Sequence, residues 1–229
     1  MSKEEAFALT VSTHLLLLDY EVRDDTVARV INDIAGLIRK SEEFFEKEVI
    51  RYGDEAADIY ADEGDYVEGL IGASFVLLQA KIRRVVSWAI AMREALTRFG
   101  LDLTEFDGQA KVLRLGGDYK DTGYSLVELV WHLGNFYKHR DQWSKETWDK
   151  PDNRTEKTIR AIAKVGIGQH EKLRDAMIFF GLDASSRCGD LAEQVQNWAA
   201  CVDKHAQGQA PFDPETHPRV RMANELRRR

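Results

Sequence analysis

Between Ser125 and Trp143 the chain reads SLVELVWHLGNFYKHRDQW, and four side chains there can bind or move protons: Glu128, His132, Asn135 and His139. At about 100° per residue they fall on one narrow helical stripe, with Gln142 and Trp143 at its end. Leu126, Leu129, Val130, Leu133, Phe136 and Tyr137 occupy another sector. A helix needs only that second, apolar sector to fold. The polar stripe is therefore the best candidate site.

Its far end is the more reactive. Asn135, Lys138, His139 and Arg140 gather one imidazole, one amide and two cations within a turn and a half. Such a set can bind and cleave a phosphodiester. A histidine of near-neutral pKa moves the proton of a 2′-hydroxyl or leaving oxygen, while cations and an amide hold the phosphate as charge develops. The same residues also suit a solvated helix end, where Lys138 and Arg140 favour the C-terminal dipole. Both readings stand at this point. His132 taken alone reads as a hydrogen-bonded interface histidine, and Glu128 as a capping acceptor. Two turns, about 10.5 Å along the axis, separate His132 from His139, too far for both to hold one metal. No HExxH or second histidine pair is present, so neither a metal nor a cofactor is expected.

The elements that position this stripe are helical. Ser125 followed by Glu128 is a capping box, and no proline interrupts the run before Pro151, so a motif helix over 125–147 is predicted. Ser2 with Glu5 starts a first helix running to about Tyr20. Asp24, Asp25 and Thr26 start a second, whose Val27, Ile31, Ile34, Ile38, Ser41 and Phe45 face a core and which continues to about Tyr52. Gly53, Gly64 and Asp65 mark a solvated break. Ile71, Phe75, Leu78, Ile82, Val85, Ala89, Met92, Leu96 and Phe99 then repeat at alternating four and three, a continuous seam that packs on neighbouring helices or on a second copy. Arg83 and Arg84 flank it, and Gly100 ends it. Residues 101–124, rich in glycine, form a long loop with one short element at Ala110 to Leu115. Asn153 with Glu156 caps a helix to about Val165, Gln169 to Phe180 forms another, and Asp190 to Ala206 a last one. The expectation is an all-α bundle of six to seven helices with long antiparallel members, a single domain over 1–206 and an extended or partly ordered tail over 207–229.

Composition agrees and excludes little else. The chain has 229 residues, 44% hydrophobic and 31% charged, with only 4 prolines. That is an ordinary globular composition with room for a real core. The net charge of −7 is uneven: acids crowd Glu42 to Glu68, whereas Arg219 to Arg229 is rich in arginine. A basic contact surface on an acidic protein is permitted by this asymmetry. Cys188 and Cys201 are thirteen apart and fit single thiols in a reducing compartment. The N-terminal stretch is acidic and its longest unbroken apolar run is Leu15 to Leu18, neither a signal peptide nor a span. A cytoplasmic protein without membrane contact is expected.

Long helices with the polar motif NFYKHRDQW at Asn135 to Trp143 resemble the HEPN superfamily. The resemblance covers the motif helix and, loosely, its neighbours in the bundle, leaving out about the last sixty residues. It implies a helical bundle, commonly homodimeric, and a metal-independent endoribonuclease of bacterial antiviral defence or toxin–antitoxin systems. In that family an arginine, often followed by Asn or His, is separated from a histidine by a gap of four to six residues, and two protomers build one composite cleft. His139 takes the place of the histidine and Asn135 that of its polar companion. The arginine is missing: its positions hold His132, Leu133 and Gly134. Either His132 substitutes, or Arg140 or Arg84 enters from elsewhere, or the bundle binds without cleaving. The site implied is catalytic His139, His132 and Asn135 with RNA held by Lys138, Arg140 and Arg84. The rival is a non-catalytic interaction module, antitoxin-like or scaffold, whose Ile71 to Phe99 seam binds a protein partner from the same operon. A nucleic-acid binder using the Arg219 to Arg229 tail is the third possibility.

Overall fold

The computed structural model describes residues 3–53, 57–168, 172–182 and 188–208, and every regular element among them is helical. Helices α1 (Lys3–Arg23), α2 (Thr26–Tyr52) and α3 (Ala57–Thr97) are followed by the short α4 (Gln109–Arg114) and by α5 (Leu126–His139). Then come α6 (Lys145–Asp149), α7 (Asn153–Ala163), α8 (Leu173–Phe179) and α9 (Cys188–Gly208). The all-α architecture is thus as the periodicity predicts. Among the described residues no helix is long and apolar enough to cross a membrane. The Ser2 cap, Gln169 of the penultimate helix and the tail beyond Gly208 lie outside the described residues.

The chain forms two compact units, with α3 and α9 contributing to both. The first comprises residues 1–24, 81–117 and 196–229, and it is built on α1 running antiparallel to the later half of α3. Lys81 Nζ donates to the backbone carbonyls of Glu21 and Asp24, Arg84 pairs with Glu21, His14 meets Trp88, and Phe7 meets Phe99. Each step down α1 is a step up α3. Val11, Leu15, Leu18, Ile82, Val85, Met92, Leu96 and Val202 are buried there.

The second unit, residues 25–80 and 118–195, contains the motif helix. Here α5 lies antiparallel to α3, and two glycines set how closely they cross. A Cβ at Gly72 would fall inside the Tyr137 ring, and one at Gly134 would sit 3.0 Å from the Phe75 carbonyl oxygen. Helix α7 packs against the opposite side of α5. Its cap is Asp152, one residue before the predicted Asn153: the carboxylate accepts from the backbone of Arg154 and Thr155, and these bonds hold it below the usual carboxylate range.

Three expectations are corrected. Gly64 and Asp65 do not break the chain but lie inside α3. The modest cost of a helical glycine is outweighed by what that turn holds. Glu63 accepts from Ser41 Oγ, and buried Glu68 accepts the backbone N–H groups of Leu173 and Arg174, capping α8 from a distance. Phe99 is no part of the seam, since α3 stops at Thr97 and Phe99 is 38% exposed. The motif helix also does not run to 147. It ends at His139, passes through a 3-10 turn at Arg140–Gln142 and restarts at α6, where Ser144 accepts from the Thr147 backbone. Trp143 caps the turn, its backbone N–H donating to the Arg140 carbonyl. Its ring folds back onto Phe136 at 5.6 Å and Trp148 at 5.7 Å, contacts a straight helix would not allow.

The seam itself resolves inward. Ile71, Phe75, Leu78, Ile82, Val85, Ala89, Met92 and Leu96 are each at most 1% exposed. They are spent inside the chain, which leaves no apolar edge there for the partner that the interaction-module reading assigned to it.

Candidate functional site

The capping box at the start of α5 forms as its spacing predicts. Glu128 donates its backbone N–H to Ser125 Oγ at 3.2 Å, and its carboxylate accepts from the Ser125 backbone at 2.8 Å. Glu128 is buried and fully occupied with this task. It is a structural residue.

His132 stands one turn further on, beneath α7. Its Nδ1 lies 3.1 Å from Thr158 Oγ1, and its ring meets the edge of Tyr124. Burial, with Lys157 adding a nearby positive charge, pushes its pKa down to about 4. At neutral pH it is an uncharged imidazole and cannot supply the cation that an arginine would bring. Asn135 is likewise engaged. Gln79 Nε2, from α3, donates to Asn135 Oδ1 at 2.7 Å and to the Trp131 carbonyl at 2.9 Å. Leu133 and Gly134 are buried, and a Cβ at Gly134 would sit tightly against the Phe75 carbonyl and the Gln79 side chain. None of the three positions aligned with the family's arginine can therefore present a cation.

The exposed end of α5 differs. His139 is solvent-exposed, and its Nδ1 lies 3.3 Å from Gln142 Oε1. In the tautomer that donates Nδ1–H to this amide oxygen, the lone pair lies on Nε2, as a general base requires. Lys138 is exposed beside it. Arg140 stacks its guanidinium 4.6 Å from the Tyr137 ring centroid, with Nε 3.9 Å from Asp141. The stacked planar fork keeps edges available for a phosphate.

Arg84 is not part of this cluster. It belongs to the first unit, where Nε lies 2.8 Å from Glu21 and its Nη2 3.2 Å from Asp24. Two carboxylates already neutralise it. Among the described residues no group of three or more His, Cys, Asp or Glu side chains is arranged to hold a metal. The candidate site thus contracts to His139, Lys138 and Arg140, steered by Gln142 and Tyr137.

No protein-family model, curated protein or solved structure matches the chain. The site must be judged on its own geometry. Sequence reasoning missed Gln79 and Thr158, the two residues that engage Asn135 and His132. Both come from other helices, and neither interrupts its own helical pattern, so spacing carries no signal for them.

Proposed function

We propose that this chain is a HEPN-like, metal-independent endoribonuclease, acting as a homodimer in a bacterial antiviral defence or toxin–antitoxin system. The observation that carries the reading is the exposed His139 imidazole, within reach of the Gln142 amide and flanked by Lys138 and Arg140. His139 Nε2 would take the proton of an RNA 2′-hydroxyl. The 2′-oxygen would then attack the adjacent phosphorus and displace the 5′-oxygen, which takes a proton from solvent as the P–O5′ bond breaks, giving a 2′,3′-cyclic phosphate. Lys138 and Arg140 would hold the charge that builds on the phosphoryl oxygens. Arg140 takes the role of the absent arginine better than His132, which is neutral, or Arg84, which is paired. One imidazole per chain accords with the dimeric habit of the family that the motif resembles.

The rival, a non-catalytic helical interaction module, is favoured by one observation: Glu128, His132 and Asn135 are all consumed in packing. Its own partner surface cannot be the α3 seam.

The deciding experiment is cleavage of total RNA, or cellular toxicity, by wild type and His139→Ala. A general acid/base contributes about 10²–10⁴-fold, so the variant should be close to inactive while its circular dichroism is unchanged. Chelation of divalent metals should leave cleavage intact, and Arg140→Ala should be the next most severe loss. If wild type neither cleaves nor is toxic, alone or with its genomic neighbours activated, the interaction module replaces the nuclease.

A further inference from the structure

Helix α2 carries two apolar stripes side by side, and the described residues cover only one. Ile31 and Ile38 are fully buried, but Val30 is 40% exposed, Leu37 42% and Phe44 47%. These three recur at strict intervals of seven. Together with half-buried Val27 and Ile34 they complete a heptad seam, with 27 and 34 at one core position and 30, 37 and 44 at the other; Ser41, next at the first position, is buried and donates to Glu63. Single exposed apolar residues are ordinary on a protein surface. A stripe of three at one register along about 21 Å of helix asks for a partner helix.

The charges beside the stripe say which partner. Asp33 and Lys40 occupy the same flanking position, one heptad apart, and neither makes an ion pair within the described residues. Consider a second α2 laid antiparallel, so that Ile34 meets Leu37 of the other copy. Val27 then meets Phe44, and each Asp33 faces the Lys40 of the other chain. The two-fold axis makes every one of these pairs twice. In a parallel arrangement, Asp33 and Lys40 would instead face the position held by Ile31 and Ile38, which its own core already fills. The α2 surface is self-complementary only in the antiparallel sense.

We infer that α2 is a homodimer interface, occupied by α2 of a second copy in antiparallel register centred between Ala35 and Gly36. The inference stands on α2 alone and does not need the ribonuclease reading, because its readout is mass rather than cleavage. It also gives the protein a dimer contact that the buried α3 seam cannot supply.

The test is sedimentation or light scattering of the full chain at micromolar concentration. Wild type should have twice the 26.2 kDa mass of one chain. Leu37→Asp should return it to a single chain with unchanged circular dichroism. Asp33→Lys alone and Lys40→Asp alone should each weaken dimerisation at least tenfold, since each sets like charges opposite one another. The double exchange Asp33→Lys with Lys40→Asp should restore it. A monomeric wild type overturns the interface, as does a dimer indifferent to Leu37→Asp. Failure of the double exchange to restore the dimer overturns the antiparallel register. A monomer that dimerises only after removal of residues 209–229 would assign the stripe to the chain's own C-terminal segment instead.

Discussion

A single amide nitrogen of Gln79 donates to both Asn135 Oδ1, at 2.7 Å, and the Trp131 carbonyl, at 2.9 Å. Gln79 is 5% exposed, so these are interior bonds between α3 and α5. They tie the motif helix in register with the longest helix of the chain. Gln79 engages the Asn135 carbonyl oxygen and so orients its side chain, while the bond does not involve the amide N–H donors that a phosphate would use.

The consequence is measurable in stability. Asn135→Ala and Gln79→Ala should each lower it by about 1–3 kcal/mol, since each leaves a buried polar group without its partner. The double variant should cost clearly less than the sum, because one bond is lost only once. Additive losses in chemical denaturation would break the link. Any effect of Asn135→Ala on RNA cleavage should disappear once the folded fraction is matched.

Gly134 can be used to ask whether the family's arginine was simply lost. Its Cβ position lies 3.0 Å from the Phe75 carbonyl oxygen and 3.1 Å from Gln79 Cβ. Gly134→Ala should destabilise by roughly 1–2 kcal/mol, an overpacking cost that exceeds the helix-propensity gain of up to about 1 kcal/mol. Gly134→Arg should fail to fold rather than gain activity. A folded and more active Gly134→Arg protein would show that the α3–α5 crossing can open.

The burial of His132 predicts an acid-side loss of stability. Its pKa is about 4 in the folded chain against 6.5 when unfolded. Between those values the unfolded state binds the extra proton, so stability is full above about pH 6.5 and falls as pH drops toward 4, at up to about 1.4 kcal/mol per unit. Asp203 works in the opposite direction. Burial beside Asp19 raises its carboxyl to about 6, so its contribution falls as pH rises from about 4 to about 6. The two partly cancel in wild type. The difference between wild type and His132→Gln isolates the histidine: the variant should lose less stability between pH 6.5 and 4. Parallel profiles would mean that His132 titrates normally.

The local sequence determined the helices and much of their facing. Alternating four and three spacing fixed the buried stripe from Ile71 to Leu96, and the Ser125–Glu128 spacing fixed where α5 begins, because both depend on residues one or two turns apart. It also carried the exposed chemistry at His139, where a side chain at a helix end needs no distant partner. Tertiary structure decided the rest. Whether Asn135 and His132 serve RNA or the core depended on Gln79 and Thr158, distant in sequence and silent in its periodicity. Just past the end of α5, Trp143 reaches Phe136 and Trp148, contacts which no helix propensity records. How tightly Gly134 is packed became visible only when it was set against the Phe75 carbonyl and Gln79. A period places a side chain on a face, but only the neighbouring helix decides whether that face meets water or another chain's atoms.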